Sequence, residues 1–195
     1  MPGMSERFVS NSLLLACRIA RPSGVIEAGP AAVLCHGFPI ASLDAQRAGG
    51  TFPQLMDRAA NEHNCIAMTF NFRGCGDSEG DYSLPGLVDD LRTAISHLLT
   101  LREPKGIILL GTNTGGSIAI CVAADHPRVS AAGLLSPRAD FDDWAEHPRR
   151  FLEHARDIGA IHRRDFPRWW RSGPASSAGS VQLRRCAGSH RVPCW

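Results

Sequence analysis

The stretch Gly106-Ile107-Ile108-Leu109-Leu110-Gly111-Thr112-Asn113-Thr114-Gly115-Gly116 decides the fold. A short apolar run bounded by turn residues suits a strand buried on both faces. Glycines on either side of Asn113 permit a sharp turn, and Ser117 to Ala124 (SIAICVAA) then reads as a buried helix ending near His126-Pro127. The same unit recurs outward. Upstream, Ala31 to Cys35 ends at His36-Gly37-Phe38-Pro39, and Cys65 to Phe70 ends in the glycine-studded run from Asn71 to Gly80. Downstream, Ala131 to Leu135 is closed by Ser136-Pro137, and near the start Ser12 to Ala20 is apolar enough for a further strand. Between these runs, Thr51 to Glu62 places Phe52, Leu55, Met56 and Ala59 on one helical face. Leu87, Val88, Leu91, Ala94, Ile95, Leu98 and Leu99 repeat at helical spacing, with Asp89, Asp90 and Arg92 expected outside. Strands alternating with helices predict an α/β fold with a mostly parallel central sheet flanked by helices.

The chain has 195 residues, with 21 basic against 19 acidic groups, which suits one domain. No stretch approaches the ~20 apolar residues of a membrane span, and no basic segment followed by an apolar run marks a signal peptide. These features lead us to expect a soluble, cytoplasmic protein. The near-neutral charge gives no reason to expect a nucleic-acid or membrane partner. Lys105 is the single lysine, and Arg, Ala and Gly abound, the bias of a GC-rich, bacterial coding sequence. Seven cysteines lie scattered without CxxC spacing, so neither a zinc site nor a redox motif is encoded. Cys35, Cys65 and Cys121 sit in apolar runs and read as small core residues. No metal or cofactor is expected.

In a parallel α/β sheet, ligands gather beyond the carboxyl ends of the strands. Three loops there carry signal: His36-Gly37-Phe38, then Arg73-Gly74-x-Gly76-x-Ser78-x-Gly80, then Gly111-x-Asn113-x-Gly115. Their order and spacing resemble the α/β-hydrolase superfamily, in particular its bacterial esterase and serine-peptidase-like branches. The resemblance runs from about Leu13 to Pro137. It implies acyl (ester or amide) hydrolysis of a small substrate, with the third loop as the nucleophile elbow. It also implies that the Phe38 and Thr114 amides form an oxyanion hole, each donor worth on the order of 3 kcal/mol.

The chain departs from that pattern at the decisive position. Asn113 stands where the family places Ser, and a carboxamide is not made nucleophilic by a neighbouring His as a hydroxyl is. Thr112 and Thr114 are expected to point away from the turn. Asp140, with Asp142 and Asp143 beside it, is the candidate for the acid. His147, His154 and His162 lie in a charged segment and read as solvated. An impaired hydrolase is therefore expected. The alternative is a non-catalytic binding module, or a degenerate gene product, of the same fold. Deamidation of Asn113 to Asp is a further route to a nucleophile.

The sheet is expected to be incomplete at its C-terminal end, leaving an exposed edge open to oligomerisation. We divide the chain into a core over 1–137, a polar and aromatic helical excursion over 138–171, and an atypical, disordered tail over 172–195. From Phe166 to Trp195 there are five Arg and no acidic residue, as though a frameshift had replaced the end. Two phosphate-binding readings fail on spacing. Gly111-x4-Gly116 opens like a P-loop, but Ser117 stands at the Lys position. Gly74-x-Gly76-x-x-x-Gly80 misses the dinucleotide fingerprint by one residue.

Overall fold

The computed structural model describes residues 5–23, 29–39, 51–101 and 103–163. Six strands form one sheet: β1 (Glu6–Ser10), β2 (Leu13–Ala20), β3 (Ala31–Cys35), β4 (Ile66–Phe70), β5 (Ile107–Thr112) and β6 (Val129–Leu135). Among the described residues five helices accompany them: α1 (Thr51–His63), α2 (Leu84–Leu101), α3 (Asn113–Ala123), α4 (Asp142–Glu146) and α5 (Pro148–Asp157). The sheet order is β1-β2-β4-β3-β5-β6. The four strands from β3 to β6 are parallel, whereas β1 pairs antiparallel with β2, and β2 antiparallel with β4. The mostly parallel α/β architecture read from the sequence is thus the one found, with β1 an added strand at one edge.

Burial explains the apolar runs. Every residue of β3 and β4 is buried, because both strands lie mid-sheet with helices packed on them. Helix α2 buries Leu87, Leu91, Ala94, Ile95 and Leu98, and each fully buried Leu or Ile contributes about 1.5–3 kcal/mol. Asp90, expected outside, is fully buried in the same helix because Arg73 and Ser10 partner it. On the other face, Met56 and Ala60 of α1 pack on Ala20, Ala32, Leu34 and Ala67. Ala155, Ile158, Ala160 and Ile161 belong to the main core cluster, and Trp144 and Phe151 pack against it, so the helical excursion shares the core of the sheet.

The topology also places the loops singled out in the sequence. From β3 the chain crosses to β4 on one side and later returns to β5 on the other. At such a reversal, here between β3 and β5, open α/β sheets generally bind ligands beyond the carboxyl ends of the strands. At the far edge β6 is exposed along almost its whole length, with Leu135 at 68% of full accessibility. Among the described residues no helix is long and apolar enough to cross a membrane, and no cluster of metal-ligating side chains occurs. The tail division beyond residue 163 lies outside the described residues.

Candidate active site

The turn after β5 is a strand-to-helix elbow with Asn113 at its tip. Thr112 is still extended (φ −118°, ψ 139°), whereas Asn113 has φ 48° and is already the first residue of α3. The helix therefore starts four residues before Ser117, where the apolar pattern alone began it. Left-handed backbone costs an ordinary residue roughly 1–2 kcal/mol, and Asn is among the few side chains that tolerate it. Tight packing makes the turn possible. A Cβ on Gly115 would lie 2.3 Å from the His36 carbonyl oxygen, and one on Gly111 would lie 2.6 Å from the Gly116 Cα. The loop after β3 therefore sits directly against the elbow. A Cβ on Gly37 would meet the Asn113 Cβ at 2.9 Å, so the residue before Phe38 abuts Asn113.

His36 fixes the β3 loop rather than serving as a base. Its Nε2 accepts from the Phe72 N–H at 3.1 Å, which leaves Nδ1 as the protonated nitrogen, 2.7 Å from the Gly37 carbonyl oxygen. Burial lowers its pKa from the ordinary imidazole value, partly offset by the bond to Gly37. The ring is neutral and both nitrogens are engaged. The loop after β4 is equally occupied. Arg73 donates through N and Nε to Asp90 Oδ2, both at 3.0 Å, and through Nη2 to Oδ1 at 2.7 Å. Gly74, Cys75 and Ser78 spend their N–H groups on Glu79, Phe72 and Cys75 carbonyls. Those amides are not free to cradle a phosphate.

The Asn113 side chain folds back over its own helix. Its Oδ1 accepts from the Thr114 N–H at 2.7 Å and lies 3.2 Å from the Thr114 hydroxyl. The amide that the family resemblance assigns to the oxyanion hole is thus already bound, while the Phe38 N–H donates to no described residue. Thr114, expected to point away, is buried and directed at this cluster. Its side chain also meets the hydroxyl of Tyr82, the chain's single tyrosine, whose phenol burial holds well above its ordinary pKa. Sequence reasoning missed Tyr82. Its position just after the Gly80 turn was the available signal.

Phe38 carries the other half of the site. Its ring contacts Tyr82 at 4.6 Å, Trp144 at 5.2 Å, Phe151 at 5.5 Å and His154 at 5.8 Å. Trp144 and Phe151 stack at 4.4 Å. Helices α4 and α5 thereby lay an aromatic wall beside the elbow, and His154, expected to be solvated, is half-buried within it. The wall is positioned through α3: Ser117 Oγ donates to the Arg138 carbonyl at 2.7 Å, and a Cβ on Gly116 would touch Pro137. Arg138 pairs with Asp143 and lies 5.0 Å from the Trp144 ring. Asp140, the acid candidate, is exposed, and its Oδ1 accepts from the Asp142 N–H at the start of α4. No described contact joins Asp140 to Asn113. His147 and His162 are exposed.

Known proteins share this arrangement of strands. The structure resembles Est1E with bound ferulic acid from Butyrivibrio proteoclasticus, with a TM-score of 0.61 and 20% identity over 73% of this chain and 57% of that one. It likewise resembles the alpha/beta hydrolase GrgF from Penicillium sp. sh18, with a TM-score of 0.60 and 24% identity over 80% of this chain and 54% of that one. Both likenesses concern the fold, and the chain spans little more than half the length of either protein. In sequence, 58 residues are 38% identical to the uncharacterized protein YfhR of Salmonella typhimurium, covering 29% of this chain and 20% of that one. The alpha/beta hydrolase family pattern matches residues 32–193, which takes in the acid-free end. That span covers both the β3 loop and the elbow, and on it the chain belongs to the alpha/beta hydrolase family.

Proposed function

We propose that the elbow binds an acyl ligand of the ester or amide type and does not turn it over. The carrying observation is Asn113: it holds the tip of the elbow at φ 48° while its carboxamide oxygen occupies the Thr114 N–H. The site keeps the backbone shape of an acyl hydrolase and presents a group that cannot attack a carbonyl. The direct test is hydrolysis of p-nitrophenyl acetate and butyrate by the purified chain. We expect no rate above buffer, and turnover that a serine-directed inhibitor abolishes would overturn the reading. Asn113→Ser is expected not to restore hydrolysis, since among the described residues no imidazole hydrogen-bonds position 113 and both His36 nitrogens are engaged. Measurable ester cleavage by that variant would show that a base reaches the elbow after all.

A further inference from the structure

We propose that the ligand of this site is an aromatic carboxylate, held by the Asn113 carboxamide and the Phe38 amide against the Phe38–Trp144 wall. The inference rests on the acyl-binding reading above and adds the chemistry of the occupant. Two donors fix which way the carboxamide faces. The Thr114 N–H and hydroxyl both lie at Oδ1, 2.7 and 3.2 Å away, so the oxygen end is turned inward and Nδ2 with its two hydrogens outward. Asn113 is exposed, which leaves those hydrogens within reach of a ligand. The Phe38 N–H, the neighbouring donor across the Gly37 contact, is given to no described residue.

A serine at this position would offer a hydroxyl that both donates and accepts. The carboxamide as oriented here offers donors only, and a carboxylate is a group that only accepts. The rest of the ligand is read from the wall. Phe38, Trp144 and Phe151 are half-buried, so each residue keeps accessible area beyond its contacts with the others. Planar rings stack favourably on such a surface, where an alicyclic group of similar size gains burial without the ring-to-ring term.

The experiment titrates the full chain with phenylacetate, cyclohexylacetate, acetate and 2-phenylethylamine, following the Phe38 amide and the Asn113 side-chain amide by 1H–15N correlation spectra. Phenylacetate should shift both signals saturably and bind about fivefold more tightly than cyclohexylacetate, the factor expected of one good aromatic contact. The amine should not shift the Asn113 signal. Asn113→Asp keeps an oxygen for the Thr114 N–H but turns the outward donor into a negative acceptor, so it should weaken phenylacetate at least about tenfold. Phe38→Leu keeps the backbone donor and should erase the preference for phenylacetate over cyclohexylacetate; thermal melts of both variants establish that they fold. Equal binding of cyclohexylacetate overturns the aromatic assignment while leaving acyl binding intact. Unaltered affinity in Asn113→Asp overturns the role of the carboxamide. Absence of binding by all three acids overturns this proposal and the acyl-binding reading together, whereas serine-dependent ester turnover sinks only the latter's claim of inactivity.

Discussion

Replacing Asp90 with alanine removes the partner of a nearly buried guanidinium and tests what holds the loops around the elbow. Asp90 is completely buried, and the Arg73 side chain is only 12% exposed. Three donors of Arg73 and the Ser10 hydroxyl, at 2.7 Å from Oδ1, converge on this one carboxylate. The guanidinium has little room to escape, since a Cβ on Gly86 would come within 2.5 Å of Nη1. Removing one member of such a pair leaves an uncompensated charge and typically costs about 3–5 kcal/mol. For a chain of this size each kcal/mol lowers the melting temperature by roughly 2–4 °C, so Asp90→Ala should melt about 6–20 °C below the parent. Removing both charges by Asp90→Leu with Arg73→Met should recover much of that loss, because the cost lies in the stranded partner. Thermal unfolding by far-ultraviolet circular dichroism reads all three proteins. Arg58→Ala, which breaks the exposed pair with Glu62, is the control and should not move the transition. The reasoning is refuted if Asp90→Ala melts within about 2 °C of the parent, or if the double variant is no more stable than the single one.

Other consequences of the structure are open to simple measurement. His36 has a lowered pKa when folded, so the unfolded chain binds its proton more readily; the stability from neutral His36 is complete above about pH 6.5 and is lost as pH falls below it. The urea midpoint should therefore drop between pH 7.5 and 5.5 by more in the parent than in His36→Gln, and equal drops would contradict this. Gly115→Ala should cost at least about 2 kcal/mol in urea unfolding, since its Cβ would press on the His36 and Cys35 carbonyl oxygens at 2.3 and 2.5 Å. Gly159→Ala, with φ +74° but open space around it, should cost only about 1 kcal/mol; similar losses at both positions would remove the packing argument. Burial pushes the Cys17 thiol up to about 12 and raises Cys35 and Cys75 further, so iodoacetamide at pH 8 should leave all three unmodified until urea is added. Rapid labelling of the Cys35 peptide in the native protein would show that the centre of the sheet opens readily.

The parallel sheet was legible in Ala31–Cys35 and Ile66–Phe70 because strands buried on both faces must be largely apolar, and in Ile107–Leu110 because its apolar run is bounded by glycines, although alternate residues there are only half-buried. The elbow and the β3 loop were legible for a related reason. Where two backbones meet closer than 3 Å, only glycine fits, and such glycines mark their own loops. Asn113 could be read as the wrong side chain for attack from its letter alone. Other features depended on chain segments distant in sequence. Asp90 looked like an outward charge on its helix until Arg73 and Ser10 were found around it. His154 looked solvated until α5 turned it onto Phe38, and Tyr82, just after the Gly80 turn, was joined to the elbow only by its contacts with Phe38 and Thr114.

Local chemistry therefore determined the type of fold, the order of its loops and the carboxamide at the tip of the elbow, because each follows from what single residues or short runs permit. Tertiary structure decided which groups those loops bring together. A carboxamide can turn either end outward, and only the Thr114 donors hold the Asn113 oxygen against its own helix. Likewise, an aromatic wall exists beside the elbow because residues near 38, 82, 144 and 151, remote in sequence, are packed into one place. Such contacts are set by the closing of the whole core and leave no periodic trace in the sequence that makes them.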